Sequence, residues 1–304
     1  MLLLIDGDVL CYGACERRFD PAKVIERPVF TPTEDLAYLE RSWKNLKSNL
    51  NQMCGECFAD DYLMAVKAKT NFRDRIYPVW FDECMKAHGY KSTRVKHPFN
   101  FEYSCERLLE KWKAEGIPES EYECKLREFK EAFDDKLAEY EFNKSSVDFV
   151  NELRRRLVEE GIAIEAEDRE ADDFLQIWAQ QAREADEDFA VVTIDKDLKV
   201  IGGTFYNPKL QKVEIVSPEE GLRFFYRQLL MGDPVDSIPG IPGIGPKKAD
   251  KALETCEDEE ELRFQVQHYY EANFGDQWRD YLLSNGKLLY LQKHEHDFFS
   301  LQDW

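Results

Sequence analysis

The sequence predicts an α/β fold, a mostly parallel central sheet flanked by helices. Three observations predict it. Short apolar runs alternate with helical stretches, most clearly from 147 to 206. Acidic residues recur just past the apolar runs, where such sheets carry their sites. A chain of 304 residues is long enough to bury one large core, with or without an appendage.

The elements follow in order. Residues 2–5 read as a buried strand. The run from Met1 to Ile5 is cut short by Asp6 and has no basic lead-in, so it is not a signal peptide. Residues 36–53 read as an amphipathic helix and 62–66 as a second strand. A locally basic stretch follows, with Lys67, Lys69, Arg73, Arg75, Lys86, Lys91, Arg94 and Lys96 facing Asp74, Asp82 and Glu83. Residues 101–145 are acidic and helical. Gly116-Ile117-Pro118 breaks them into a helical hairpin. Charge on every face of that hairpin suits solvated helices or a partner surface better than a core. Residues 147–159 read as a helix, 162–164 as a strand, 170–183 as a helix, 189–194 as a strand and 205–206 as a short strand. From 217 the chain reads as helical, interrupted by a glycine- and proline-rich turn at 239–246.

Composition narrows the class further. No apolar run approaches the ~20 residues that a membrane helix needs, so no membrane role is expected. The eight cysteines are scattered and carry no secretory context. Reduced thiols in a cytoplasm-like compartment are expected. Cys54 and Cys57 have the spacing of half a zinc site, but no second half follows. The formal charge of −20 is awkward for a partner built of phosphates. Acids that bind cations, or locally concentrated basic residues, would each resolve the conflict.

Four acidic groups carry the chemistry. Asp6 and Asp8 end the first strand. Glu170, Asp172 and Asp173 follow the strand at 162–164. Asp195 and Asp197 end the strand at 189–194, and Asp233 and Asp236 follow the helix from 217. Taken singly, each has a structural explanation. First-turn acids complement a helix dipole, Asp195 could cap a helix, and Asp6-Gly7 could be a turn. Taken together at one sheet edge, they would repel unless cations neutralise them. Hard oxygen ligands suit Mg²⁺ or Mn²⁺, and two such ions can serve an in-line phosphoryl displacement.

The segment from Ser237 to Ala249 is the most specific in the chain. Gly240, Gly243, Ile244 and Gly245 form a tight turn, and Pro246 fits the first helical position. The turn and the helix N-terminus make an anion site beside Lys247 and Lys248. This is a helix-hairpin-helix phosphate cradle, which contacts the backbone of nucleic acid without reading its sequence.

Together these motifs resemble the flap endonuclease family, the 5′ nuclease domains of bacterial DNA polymerases and the phage 5′→3′ exonucleases. The phage enzymes are the nearest in size. The resemblance covers about 1–15, 62–78 and 147–255. It implies a PIN-like nuclease core at 1–206, with an arch and acidic insertion at about 70–146. A helical region at 207–304 would hold the helix-hairpin-helix at about 232–255.

In this family two acid clusters hold two Mg²⁺ (or Mn²⁺) ions. Asp6, Glu170, Asp172 and Asp173 match the first, with Asp8 beside it; Asp195, Asp197, Asp233 and Asp236 match the second. The segment Asn71-Phe72-Arg73-Asp74-Arg75-Ile76-Tyr77-Pro78 resembles the exit from the second strand. One departure stands out there: Val66-Lys67-Ala68-Lys69 lies where the family places an aspartate, unless Asp82 substitutes. Tyr90-Lys91-Ser92-Thr93-Arg94 resembles the arch motif, displaced by an insertion at 79–89. Lys91, Arg94 and Arg73 are the residues expected to stabilise charge on the reacting phosphate.

The implied activity is hydrolysis of DNA, and of RNA in RNA–DNA hybrids, at 5′ ends, flaps or nicks, in primer removal or genome processing. Two alternatives stay open: a structure-specific DNA-binding protein with degenerate catalysis, and a PIN-type endoribonuclease.

Overall fold

The computed structural model describes residues 1–15, 31–76, 101–302 and 304, except the side chains of 101–103 and 141–143. By backbone packing the chain divides into two units. The first comprises Met1–Leu10, Lys47–Val95 and Arg156–Trp304, and the second Cys11–Leu46 and Lys96–Arg155. This division differs from a boundary at 206, because the sheet and the C-terminal helices share one unit.

The first unit is built on a six-stranded sheet. Its strands are β1 (Leu2–Asp6), β2 (Asp61–Asn71), β3 (Ile164–Asp168), β4 (Phe189–Val192), β5 (Gly203–Asn207) and β6 (Lys212–Val216), in the order β3-β2-β1-β4-β5-β6. The pairings β1–β2, β1–β4, β2–β3 and β4–β5 are parallel, and β5–β6 is antiparallel. Parallel central strands are buried on both faces and must be apolar throughout. Leu3, Leu4 and Ile5 of β1 and Val191 and Val192 of β4 meet that demand and are fully buried. The strand order reverses between β1 and β4, so the crevice at their carboxyl ends is the natural site position.

Sequence patterning placed the strands well and their ends less well. The second strand runs on to Asn71, with a register shift between Lys67 and Asn71. The strand expected at 162–164 lies at Ile164–Asp168. Strand β6 was not anticipated; Val213 and Ile215 on it are largely exposed, so it lacks a core signature.

In the numbering of helices along the chain, α1 is Gly7–Ala14, α2 is Leu36–Glu56, α3 is Phe101–Ala114 and α4 is Tyr122–Glu159. The break at 116–118 is present, with Gly116 at φ +72°. The second hairpin helix and the helix expected at 147–159 are one continuous helix of 38 residues. Within the second unit, Trp112 and Tyr122 meet across that break at 5.7 Å, and Tyr38 meets Phe149 edge-on at 4.9 Å.

The remaining helices belong to the first unit: α5 (Ala171–Glu184), α6 (Pro218–Met231), α7 (Pro246–Leu253), α8 (Glu259–Phe274) and α9 (Trp278–Leu289). Leu175 and Ala179 of α5 pack on Leu4 and Val191 of the sheet. Leu229 and Leu230 of α6, Val266 and Tyr270 of α8 and Leu282 of α9 form a second core around α7. Ser217 caps α6 in a reciprocal capping box with Glu220. Gly7 is required at the start of α1. A Cβ there would lie 2.6 Å from Val66 Cγ1 and 2.8 Å from the Ala65 carbonyl, so only glycine lets α1 start against β2.

Candidate active site

The switch-point edge gathers the first acids. Asp6 ends β1 and is only 9% exposed. Its Oδ2 accepts from Thr193 Oγ1 at 3.2 Å, and its Oδ1 accepts from the Asp8 amide at 3.2 Å. Burial, then the charges of Asp8 and Asp195, push the Asp6 carboxyl up to about 7. Asp8, in the first turn of α1, accepts from the Lys67 amide at 3.3 Å. Asp8 therefore reaches β2 within the stretch Val66–Lys69, which carries no aspartate.

Helix α5 presents the next group. Glu170 caps it, and Asp173 occupies the third helical position of a reciprocal capping box. Asp173 is fully buried and forms a two-pronged ion pair with Arg73: Nη1 to Oδ2 at 2.6 Å and Nη2 to Oδ1 at 2.8 Å. The Glu170 and Gln292 amides also donate to Asp173, at 3.0 and 3.1 Å. Arg73 has no exposed surface and donates further to the carbonyls of Leu288, at 3.1 Å, and Tyr290, at 2.5 Å. The expectation that Arg73 reaches a reacting phosphate does not fit a guanidinium buried and directed inward. Glu170 and Asp172 are half-buried. Glu170 Oε2 lies 3.6 Å from Arg73 Nη1, and its Oε1 lies 3.5 Å from Asn71 Nδ2.

The third and fourth groups are held by local turns. The Asp197 amide donates to Asp195 Oδ1 at 2.9 Å, and the Asp195 amide to Thr193 Oγ1 at 3.0 Å. Gln228 of α6 donates to Asp197 Oδ1 at 3.0 Å. Asp233 is buried at the end of a two-residue strand, β7 (Gly232–Asp233), and accepts from the Val235 amide at 2.8 Å. Burial, then Asp195 and Asp233, push the Asp197 carboxyl up to about 6, with Asp236 adding to the effect and Lys196 opposing it.

Strand β7 pairs with β8 (Ile238–Pro239), and the chain then enters the phosphate cradle. A Cβ on Gly240 would sit 2.1 Å from the Met231 carbonyl carbon, so glycine is required for this close approach. Gly243 adopts φ +77°. Ile241 is buried and anchors the turn, donating from its amide to the Leu230 carbonyl at 2.8 Å. The Ile244 amide donates to Ile241 O at 3.0 Å. Gly245 caps α7, and Pro246 begins it. Lys247 and Lys248 are exposed beside the turn, and Lys248 Nζ donates to the Gly243 carbonyl at 2.8 Å.

Lys91, Arg94 and Asp82 lie outside the described residues. Among the described residues, no group of three or more acids, histidines or cysteines stands in ion-holding geometry. The donor chemistry still fits a hard divalent cation. Burial and the charges of Asp8 and Asp195 raise the proton affinity of Asp6 at this edge, which a bound cation would oppose. Cys54 and Cys57, near the end of α2, are half-buried, and burial pushes both thiols up. Sequence reasoning missed Thr193 and Gln228, which orient acids, and the pairing of Arg73 with Asp173. Thr193 carried a faint signal as the polar residue ending β4.

The sheet order, parallel but for its last strand and flanked by helices, defines the class as a mostly parallel α/β fold. Two solved structures share that fold. A flap endonuclease of bacteriophage T5, in a pseudo-enzyme–product complex with DNA and metal ions, has a TM-score of 0.53 and 14% identity, covering 97% of this chain and 90% of that one. The T5 protein co-crystallised with metal ions has a TM-score of 0.50 and 13% identity, covering 93% and 88%. In sequence, the chain is similar to DNA polymerase I of Rhizobium leguminosarum, 36% identical over 107 residues, which is 31% of this chain and 10% of that polymerase. The chain thus spans about a tenth of that relative's length. No family model matches it.

Proposed function

We propose that this protein is a divalent-metal-dependent 5′ nuclease that hydrolyses phosphodiester bonds of DNA, and of RNA paired to DNA. The observation that carries the proposal is the meeting of Asp6, Asp8 and Asp195 at the switch-point edge, where burial and mutual repulsion push Asp6 to about 7. Asp6, Asp8, Glu170 and Asp172 would hold one Mg²⁺ or Mn²⁺ ion, and Asp195, Asp197, Asp233 and Asp236 a second. Such ions, when bound, supply Lewis acidity for activating water and neutralising the leaving oxygen.

The chain's own residues do the rest. Thr193 orients Asp6, and Gln228 orients Asp197. The turn from Gly240 to Gly245, with Lys247 and Lys248, holds duplex phosphates. Because Asp233 and Asp236 lie on the β7–β8 segment that enters this turn, a duplex held there is fixed close in sequence to half of the second set of acids. Lys91 and Arg94 are the candidates to meet the scissile phosphate. Removal of 5′ ends or RNA primers is the matching task, with a replication protein as partner of the acidic helices.

The test is product mapping on 5′-labelled flap, nicked and RNA-primed duplexes with Mg²⁺. Short 5′ products that vanish with EDTA and in Asp195→Asn are expected, with a loss of at least about 100-fold for the variant. Wild-type activity in a folded Asp195→Asn protein would sink the two-ion assignment. Binding of these duplexes without cleavage at any Mg²⁺ or Mn²⁺ concentration would favour a DNA-binding protein with degenerate catalysis. Lysine at position 67 is the feature that keeps that second reading in play.

A further inference from the structure

We propose that Arg73 and Asp173 form a buried positioning pair that sets Glu170 and Asp172 in place, and that Asp173 is not itself a metal ligand. The inference rests on the two-ion reading above and revises one of its acids.

An ionised carboxylate offers about four lone-pair sites. Those of Asp173 are filled from within. Oδ2 accepts from Arg73 Nη1 and the Glu170 amide, and Oδ1 accepts from Arg73 Nη2 and the Gln292 amide. Neither side chain has exposed surface. Binding a cation at Asp173 would first require breaking a buried, two-pronged pair, the strong form of a charge-assisted bond.

The same pair reaches three parts of the fold. Through the capping box it fixes the first turn of α5, so the direction in which Glu170 leaves the helix follows from it. Through Asn71, whose Oδ1 accepts from the Arg73 amide at 2.7 Å, it is tied to the end of β2. Through Leu288 and Tyr290 it grips the end of α9, which packs in the same core as α6 and α7. The Arg73 guanidinium also lies 4.5 Å from the Phe72 ring centroid. One arginine thus joins the acid-bearing edge to the helical layer that carries the phosphate cradle.

The test counts bound Mn²⁺ by paramagnetic resonance and measures flap cleavage against Mg²⁺ concentration, in wild type, Asp172→Asn, Asp173→Asn and Arg73→Lys. Asp173→Asn and Arg73→Lys are expected to keep the wild-type ion count. Their half-saturating Mg²⁺ should rise about tenfold, with turnover recovering at high Mg²⁺, as for residues that orient ligands. Asp172→Asn should lose an ion and not recover. A folded Asp173→Asn protein short of one ion overturns the inference. If Asp173→Asn fails to fold, Arg73→Lys decides. A lowered melting temperature with unmoved half-saturating Mg²⁺ would mark a purely structural pair and overturn it. Wild-type protein that binds no Mn²⁺ overturns the two-ion reading and this inference with it, which separates the two failures.

Discussion

The two acid groups of this site are built on different principles. The first is knotted by long-range contacts: Asp173 meets Arg73 across 100 residues of chain, and Asp6 meets Thr193 across 187. The second is held mainly by turns: Asp195 and Asp233 each accept from an amide two residues on, the Asp195 amide donates to Thr193 Oγ1 two residues back, and Asp197 adds a contact from Gln228. Breaking the Arg73–Asp173 pair should therefore cost stability, whereas loss of Asp195 should cost activity alone.

The largest expected effect breaks the first knot. Arg73→Met leaves a carboxylate buried and unpaired, and should cost about 3–5 kcal/mol in urea unfolding. The matching change in the second group, Asp195→Asn, should stay within about 0.5 kcal/mol while cleavage is lost. A comparable loss of stability in both variants would erase the contrast.

A smaller effect concerns pH. The folded-state value of Asp6, about 7, lies above its ordinary 3.8, so folding favours the protonated form. In EDTA the protein should therefore lose stability as pH rises between about 4 and 7, and Asp197, at about 6, adds to the slope. Asp6→Asn should flatten that slope and stabilise the metal-free protein at pH 8 by roughly 1–3 kcal/mol. Denaturant titrations across pH 5–8 check this, and a slope of opposite sign would refute it. Mg²⁺ should restore stability to the wild type at pH 8 and do little for Asp6→Asn.

The smallest effect sharpens the link between the second group and the cradle. Lys247→Ala and Lys248→Ala should weaken duplex binding a few-fold each. Each should also reduce the salt slope by about 1 if that lysine contacts a phosphate. Anisotropy titrations at several salt concentrations measure both, and unchanged slopes would remove the lysines from the interface.

Local chemistry explains how much was legible. The strands at β1 and β4 announce themselves because central parallel strands must be apolar on both faces. The turn is legible because a close backbone approach demands Gly240, a positive φ favours Gly243, and Pro246 suits the first helical position. Edge strand β6 was missed because exposed Val213 and Ile215 mimic no burial pattern. The role expected of Arg73 was misjudged because an arginine in a basic stretch looks solvated until its partner is seen.

The sequence by itself determined the α/β class, the carboxylates near the strand ends and the glycine- and proline-rich turn, because short-range periodicity and backbone sterics encode each of them. Only the tertiary structure decided that Asp8 reaches β2 at Lys67, that Thr193 holds Asp6, and that Asp173 is spent on Arg73. Those outcomes depend on which charges burial brings together across a hundred or more residues, and burial is a property of the packed chain.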